Sequence, residues 1–496
     1  MNGRMKMTLG VMVAAMAVGL LAGCGQPAAF QPVDSQAAAP QDNRAKYVFL
    51  FIGDGMGPAH EHIAEIYLAA LKQPLLGKRK PGVERLTMSS FPVLGQATTY
   101  SADQQTTDSA AAGTALATGH KTSNGTISMD ADDEKDYTSL ATVAKAGGLK
   151  VGIVSSTSID DATPAVFYAH QDARSEQHKI GLQLAASPFD YFAGGRLAEA
   201  DQPEGNALLE AAAKNGLKVI GTRDELMACR PGQRVFFQAR MPYELDRPAY
   251  RPTLTDLTTK GIELLDNPDG FFMMVEGGKI DHAAHGSDAR VLIEEVRSFD
   301  AAIERAVRFY RQHPLETLIV ITADHETGGM TLGGGGAKSL LGIASLAAQK
   351  QSWQAFNFEM YAPFKRWQGW ESPADDIPNL LKKSIREVFG LDYEEMSNAQ
   401  KTRLEEAYDA SMSLRGVDLS TMKPHPLYGR SDPLPLVVSQ IVAQRAGIGF
   451  GTGSHTPLPV HVRALGAGAY RFSGCYDNTD VPKKMAEAMR MALPVE

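Results

Sequence analysis

A serine at the start of an alanine-rich run is the first residue that could do chemistry. Ser109 lies in the segment T-D-S-A-A-A-G-T-A-L at residues 107–116, whose composition favours a helix that begins near Asp108 or Ser109. Taken alone, a serine at that place is best explained as a helix N-cap. The alternative is a nucleophile whose phosphorylated form is stabilised by the free N–H groups and the dipole of a helix N-terminus. No neighbouring histidine offers a base, so a nucleophilic Ser109 would need activation by a metal ion.

Aspartate and histidine residues with metal-ligand spacing form a second set of candidates. Asp281 and His285 are four residues apart and share a face if the segment is helical. Each fragment alone has an ordinary explanation, a surface pair or a turn. Together, imidazole and carboxylate ligands suit Zn²⁺, whereas sets made only of oxygen suit Mg²⁺. The candidate ligands are Asp54, Asp281, His285, Asp324, His325 and His455.

The elements that must position these side chains are apolar runs typical of buried strands in a parallel sheet. They lie at residues 47–52, 151–154, 271–275, 318–322 and 460–465. Helix-like stretches separate them, at 59–71, 138–146, 207–215 and 291–310. This alternation predicts an α/β fold with a large, mainly parallel central sheet flanked by helices. The first four runs end at Asp54, at the segment 155–163, at Glu276 and at Asp324-His325, where ligands of such sheets bind.

The N-terminus reads as an export signal. Arg4 and Lys6 precede an apolar run that is too short to span a bilayer and ends in L-A-G-C at Cys24. This ending resembles the bacterial lipobox, which predicts a lipoprotein signal over residues 1–23 and lipid attachment at Cys24. An ordinary cleaved signal or an N-terminal anchor helix is the alternative. Residues 24–45 have the composition of a flexible tether, and the expected location is periplasmic or on the cell surface.

Composition and charge exclude several classes of protein. The 496 residues are 44% hydrophobic and 21% charged with a net charge of −8, which argues against a disordered, collagen-like or multi-span membrane protein. The acidic balance also argues against a nucleic-acid-binding role. Cys229 and Cys475 could pair outside the cytoplasm, although nothing in the sequence shows that they do. Residues 336–449 differ in composition and predict a mostly helical insertion, either a cap or a peripheral subdomain, within a domain of residues 46–335 and 450–496.

Six short blocks, taken together, make the chain resemble an alkaline phosphatase. They are I-G-D-G-M-G at 52–57, T-D-S-A-A-A-G-T-A at 107–115, D-A-T-P-A at 161–165, V-E-G-G-K-I-D-H-A-A-H at 275–285, T-A-D-H-E-T-G-G at 322–329 and H-T at 455–456. Their order matches that of the family, which makes a chance match very improbable.

The resemblance implies hydrolysis of phosphate monoesters through a phosphoserine, with two zinc ions and one magnesium ion. Ser109 is similar to the family's nucleophile and Arg174 to its phosphate-binding arginine. The implied ligands are Asp281, His285 and His455 for one zinc, Asp54, Asp324 and His325 for the zinc that also binds Ser109, and Asp54, Asp161, Thr163 and Glu276 for magnesium. Family members are often dimers, so a homodimer is one expectation.

Position 282 departs from the pattern, and two other functions remain open. Some bacterial members have lysine where this chain has His282, so a neutral imidazole would hold phosphate less firmly than an ammonium group. A phosphodiesterase or a sulfatase would keep the metal core. The serine and the arginine argue against the first, and the absence of the sulfatase motif argues against the second. The last alternative is a non-catalytic lipoprotein that binds phosphate or metal.

Overall fold

The computed structural model describes residues 43–73, 81–333, 340–367, 377–419, 423, 425, 428–429 and 431–494. The predicted signal, Cys24 and most of the tether lie outside these residues. Within the described part, ten strands form one large sheet in the order β14-β2-β13-β8-β1-β7-β3-β4-β6-β5. The strands of the chain are β1 Tyr47–Ile52, β2 Val93–Thr98, β3 Lys150–Ser158, β4 Tyr191–Gly195, β5 Lys218–Ile220, β6 Val235–Ala239, β7 Phe271–Glu276, β8 Thr317–Thr322, β9 Glu326–Thr327, β10 Met330–Leu332, β11 Ile448–Phe450, β12 His455–Thr456, β13 Val460–Gly466 and β14 Gly474–Asp477.

Helices cover the sheet and connect its strands. They are α1 Pro58–Leu71, α2 Ser109–Thr118, α3 Leu140–Ala146, α4 Ala162–Ala165, α5 Gln177–Ala186, α6 Pro203–Lys214, α7 Arg223–Ala228, α8 Leu254–Leu265, α9 Lys279–His285, α10 Ala289–Gln312, α11 Trp353–Phe356, α12 Ala362–Trp367, α13 Asn379–Phe389, α14 Asn398–Ser413, α15 Pro433–Arg445 and α16 Asp480–Met489. The longest of the described helices, α10, has polar residues on one face and a buried apolar face that packs on α8, α9 and α1. The prediction of an α/β fold with a mainly parallel sheet is confirmed.

Three of the four central strands, β8, β1 and β7, end at the same level, and β3 continues for three residues beyond it. β8, β1, β7 and β3 are parallel neighbours, and Ile52 lies opposite both Glu276 and Thr322. All six residues of β1, of β7 and of β8 are buried, as expected for strands covered on both faces. The residues that follow these strands therefore emerge side by side at one edge of the sheet, as the sequence predicted.

One of the five predicted strands runs against the others. β13 is antiparallel to both of its neighbours, β8 and β2, so the expectation that residues 460–465 belong to a parallel sheet was wrong. Its residues alternate between buried and half-buried at first, which is the pattern of a strand with one solvated face. The reversed direction brings β12, just before β13, to the carboxyl edge of β8, where it pairs with β9.

The chain between β10 and β11 is largely helical in its described part. β10 and β11 pair with each other, so this segment leaves and returns at one place. Two of its helices, α13 and α14, follow each other in the chain. Helix α15 is buried along nearly its whole length and contacts α10.

The structure also shows the state of two cysteines and whether a described helix could span a membrane. Cys229 and Cys475 are both free thiols, the first buried and the second exposed on β14, so the pairing that the sequence left open does not occur in this structure. No helix in the described ranges has both the length and the apolar character needed to cross a membrane.

Candidate active site

Ser109 is the first residue of α2, and its hydroxyl lies at the carboxyl edge of the sheet. The N-cap is Asp108, whose carboxylate accepts a hydrogen bond from the N–H of Ala111 at 3.0 Å. The explanation of Ser109 as an N-cap was therefore wrong. The buried Ser109 Oγ lies 3.3 Å from Nε2 of His325. Because Asp108 makes the capping hydrogen bond, the Ser109 hydroxyl does not cap the helix. It lies at the N-terminal end of α2, where a negative charge is stabilised.

A first cluster joins Asp281, His285 and His455. Asp281 and His285 lie one turn apart on α9, and Oδ2 of Asp281 is 3.2 Å from Nε2 of His285. His455, from β12, places its Nε2 3.2 Å from that of His285 and 3.6 Å from Oδ1 of Asp281. The ring of His325 stacks on that of His455 at 3.6 Å, and Asp281, His325 and His455 form one of two potential metal-binding groups in the described residues.

The second group consists of Asp54, Asp324 and His325, all three buried. Nε2 of His325 is 3.2 Å from Oδ2 of Asp324 and 3.7 Å from Oδ1 of Asp54. Asp324 Oδ1 accepts hydrogen bonds from the N–H groups of Gly55 and His325, at 3.0 and 2.9 Å. Gly55 has a φ of +69°, and a Cβ there would meet Asp281 and Thr327 at under 3.0 Å, so only glycine fits between the two clusters.

The three imidazoles are oriented by acceptors on their far side. Nδ1 of His285 lies 2.7 Å from the carbonyl of Gly453, and Nδ1 of His455 lies 2.9 Å from the carbonyl of Thr107. Because a carbonyl only accepts, each Nδ1 carries the proton. Nδ1 of His325 lies 3.2 Å from Oγ1 of Thr327 and is placed to donate, because that hydroxyl donates to Asp281 at 2.5 Å. Every neutral ring then directs the lone pair of Nε2 into the site, which is the form that binds a metal.

Three of the residues expected at a magnesium site lie beside the second group. Glu276 ends β7 and accepts hydrogen bonds from Ser155 and, at 3.4 Å, from Thr157. Asp161 caps α4, and Thr163 is buried in that helix. No separate metal-binding cluster of Glu276 and Asp161 is found among the described residues, which yield only the two groups above.

Arg174 and His282 lie at the more open side of the site. The Arg174 guanidinium binds Asp108 at 3.1 Å and Asp161 at 3.0 Å, and its main-chain N–H donates to Gly125 at 2.7 Å. Burial lowers the pKa of Arg174, but the two carboxylates outweigh this effect and raise it. They also fix the orientation of the planar guanidinium group. His282 is exposed on α9. Although part of the residue reaches the surface, desolvation by the surrounding protein and the nearby charge of Lys279 lower the pKa of His282, so the imidazole is neutral at ordinary pH.

Burial and mutual repulsion dominate the electrostatics of the acidic groups. Burial is the main cause that raises the pKa of Asp324 to about 7 and that of Glu276 to about 8, with neighbouring carboxylates adding to both. The pKa of Asp54 rises for the same reasons. Burial lowers the pKa of His285, but the bond to Asp281 outweighs it and raises the pKa to about 9. Without a cation, the site therefore retains protons that a metal ion would displace.

The donor set fits divalent cations. Asp54 Oδ1, Asp324 Oδ2 and Thr163 Oγ1 are buried and have no hydrogen-bond partner among the described residues. Buried polar atoms without partners are rare and need an explanation, and a bound ion is one. Mixed carboxylate and imidazole groups suit zinc, and the oxygen groups near Glu276 suit magnesium.

Two residues that support the site were not singled out from the sequence. Thr327 bridges the clusters, because its hydroxyl donates a hydrogen bond to Asp281 and accepts one from Nδ1 of His325. Buried Glu326 accepts hydrogen bonds from Thr456 and from the N–H of Met330, the latter at 3.1 Å, and so ties β12 to β9. Both lie in the block T-A-D-H-E-T-G-G, but a single sequence does not show which of its letters bind and which support.

The sheet, the serine at a helix N-terminus and the paired carboxylate–imidazole clusters are the features of an α/β enzyme with candidate metal-binding groups. Comparison with known proteins identifies the family. The family model described as alkaline phosphatase matches residues 45–491, and the chain therefore belongs to the alkaline phosphatase family. The resemblance seen in the six sequence blocks is confirmed.

Individual relatives agree with this assignment. Alkaline phosphatase 3 of Bacillus subtilis strain 168 is 29% identical over 461 residues, which cover 91% of this chain and 90% of the relative. The solved alkaline phosphatase of Thermus thermophilus has a TM-score of 0.74 at 26% identity and covers 95% of this chain and 98% of its own. A cold-active enzyme from Shewanella sp. has a TM-score of 0.72 at 28% identity, with 89% and 99% covered.

The raised pKa values in the site predict that the stability of the metal-free fold depends on pH, and that bound metal ions reduce this dependence. Asp324, Glu276 and His285 hold their protons more tightly in the folded than in the unfolded chain, so raising the pH from about 6 to 9 favours unfolding of the metal-free protein. We expect the melting temperature in a chelator to fall over this range, and to fall much less with zinc and magnesium. Calorimetry at stepped pH values measures both curves. A melting temperature in chelator that stays constant from pH 6 to 9 would contradict the prediction.

Proposed function

We propose that the protein hydrolyses phosphate monoesters to an alcohol and inorganic phosphate through a phosphoserine at Ser109. The observation that carries this proposal is the position of Ser109 Oγ, 3.3 Å from Nε2 of His325 and at the N-terminus of α2. A hydroxyl at that place is next to a candidate metal group and to the positive end of a helix. Both favour an alkoxide that attacks phosphorus.

We further propose that the clusters hold two zinc ions and that a magnesium ion binds beside them. The first zinc would be held by Asp281, His285 and His455. The second would be held by Asp54, Asp324 and His325 and would contact Ser109, while magnesium would be held by Asp54, Asp161, Thr163 and Glu276. The unpartnered oxygens of Asp54, Asp324 and Thr163 support this arrangement. When bound, the ions would supply Lewis-acid stabilisation of the attacking and leaving oxygens.

The residues of the chain would then act in two displacements. Ser109 Oγ loses its proton to solvent and attacks the phosphorus, the ester P–O bond breaks, and the departing alkoxide takes a proton from solvent. Water next attacks the phosphoserine, which restores the Ser109 hydroxyl and releases phosphate. Arg174 would bind two non-bridging oxygens in both steps, with Asp108 and Asp161 holding its fork in place.

The location and the organisation of the chain belong to the same proposal. Lipid attachment at Cys24 and a tether over residues 24–45 would anchor the enzyme at a bacterial membrane, exported to the periplasm or the cell surface. The catalytic domain would comprise residues 46–335 and 450–496, and residues 336–449 an insertion. A homodimer is proposed on the family resemblance alone.

Loss of the nucleophile or of the metals should abolish activity. Ser109→Ala removes the atom that accepts the phosphoryl group, so we expect kcat on a chromogenic phosphate monoester to fall by at least about 10³-fold. A chelator should have a comparable effect, reversed by added zinc and magnesium. Ser139→Ala is the matched control, because this buried serine also lies at the start of a helix but caps α3 away from the site. Full hydrolysis by Ser109→Ala would refute the phosphoserine route, whereas a wild type without hydrolytic activity would favour the non-catalytic alternative.

Arg174 should make the enzyme prefer monoesters over diesters. A lysine cannot reproduce the bidentate contact, so Arg174→Lys should lower kcat/KM for a monoester by about 10²-fold. The effect on a diester should be smaller, because a diester carries one charge fewer on its non-bridging oxygens. Paired assays with the mono- and diester of one phenol measure the ratio. An unchanged ratio, or a wild-type enzyme that prefers the diester, would favour the phosphodiesterase alternative.

The residue at position 282 should set the affinity for the product. His282 is neutral, and His282→Lys places a positive charge near bound phosphate, so the inhibition constant of inorganic phosphate should fall by about fivefold. Product release, and with it kcat, should become slower. His282→Gln keeps the position neutral and should leave the inhibition constant close to that of wild type. If His282→Lys does not change this constant either, the residue does not contact phosphate.

A further inference from the structure

Three residues of the chain between β10 and β11 converge on the turn that follows His285. Gln349, Trp353 and Ser439 contact Gly286 and Asp288, which connect α9 to α10. We call Gln349, Trp353 and Ser439 the clamp. His285 ends α9, so the turn at 286–288 continues directly from a candidate metal ligand.

The contact at Gly286 leaves no room for a side chain. A Cβ on this residue would lie 2.0 Å from Nε1 and 2.7 Å from Cδ1 of Trp353, so the indole lies against the main chain. The hydroxyl of Ser439, on the buried helix α15, lies 3.2 Å from the Gly286 carbonyl and 3.0 Å from the carbonyl of Leu436 in its own helix, so the two carbonyls share one donor. The turn is therefore held by contacts from two separate helices.

Asp288 binds the clamp through both carboxylate oxygens. Its side chain is fully buried, and Nε2 of Gln349 donates to each oxygen at 2.9 Å. The N–H of Trp353 donates to the same carboxylate at 3.0 Å. Asp288 also caps α10 through the N–H of Val291 at 3.1 Å, so one side chain joins the clamp to the start of the longest described helix.

The residue between these two anchors has a strained main chain. Ser287 is 1% exposed and has a φ of +48°, a conformation that is unfavourable for a non-glycine residue. Such a conformation persists only where its surroundings enforce it. The N–H groups of Ser287 and Asp288 donate to the carbonyls of Ala284 and Ala283, at 2.9 and 3.0 Å, and so close the end of α9 from within. The contacts of the clamp with Gly286 and Asp288 hold the same turn from outside.

Of the residues in the first cluster, His285 depends most on the position of this turn. Its side chain is 37% exposed, against 17% for His455, and apart from the cluster its polar contact is the Gly453 carbonyl. We propose that Gln349, Trp353 and Ser439 are positioning residues, which hold the turn at 286–288 and so orient His285 for the first zinc. This inference rests on the proposed function, in which His285 is a zinc ligand. It also gives the segment between β10 and β11 a role in the site.

A compensating pair of substitutions tests the contact between clamp and turn. Gly286→Ala would force the indole and the turn apart, and we expect the affinity for one of two zinc ions per chain to fall by about 10- to 100-fold. The other zinc should bind as in wild type, because Asp54, Asp324 and His325 do not touch the clamp. Adding Trp353→Leu shortens the opposing side chain and should restore most of the affinity. Chelator competition on the metal-free full chain measures both constants without an activity assay.

A second variant and a control complete the test. Gln349→Met keeps the length of the side chain but removes the donor to Asp288, and should weaken the same zinc ion. Ser411→Ala removes a buried hydroxyl of the same segment that contacts Asp432 and Leu434 but not the turn. It should lower the melting temperature and leave both zinc affinities unchanged. If Gly286→Ala fails to fold, Gln349→Met decides the question.

The outcomes separate the two proposals. A folded wild type that binds no zinc would refute the proposed metal centre, and this inference with it. A wild type that binds two zinc ions, with unchanged affinities in Gly286→Ala and Gln349→Met, would overturn only the positioning role. A loss in Gly286→Ala that Trp353→Leu does not restore would overturn it as well, because the effect would then arise within α9.

Discussion

Parallel alignment of β8, β1 and β7 brings Asp324, Asp54 and Glu276 to one edge of the sheet, where their charges lie close together and away from water. Burial and mutual repulsion raise the pKa of all three carboxyl groups. Divalent cations would offset this repulsion, because they are the strongest local charges such a site can hold. An acidic protein can thus accept an anionic substrate, since its surplus of carboxylates includes those that would bind the ions.

Orientation of the imidazoles is the second requirement, and it is met by main-chain groups. The carbonyls of Gly453 and Thr107 accept hydrogen bonds from Nδ1 of His285 and of His455. Neither carbonyl gains or loses a proton at ordinary pH, so the orientation of the rings does not depend on its titration. The strands and turns that carry these carbonyls come from distant parts of the chain. Stability of the fold and competence of the site are therefore linked, because a shift of β12 or of the turn at 286–288 would turn an imidazole away from its neighbours.

Sequence reasoning succeeded where local chemistry and burial agree. The strands β1, β7 and β8 are unbroken apolar runs that end in acidic residues, and both features follow from a sheet covered on two faces. Short strands such as β5 and β6 carry no comparable signal, since three to five residues are too few to show a period. The direction of β13 was missed for a different reason, because an apolar run is compatible with either direction of pairing.

The fold class, the family and the candidate nucleophile and ligands could all be predicted from the amino-acid sequence, because they depend on residue types and on their order along the chain. Three contacts became visible only in the folded chain: Asp108 rather than Ser109 caps α2, Thr327 joins Asp281 to His325, and Trp353 lies against Gly286. Each of these contacts joins groups whose positions depend on main-chain geometry or on segments far apart in the chain. Composition and spacing specify which groups are available, but distances between them exist only after the sheet and its helices have packed.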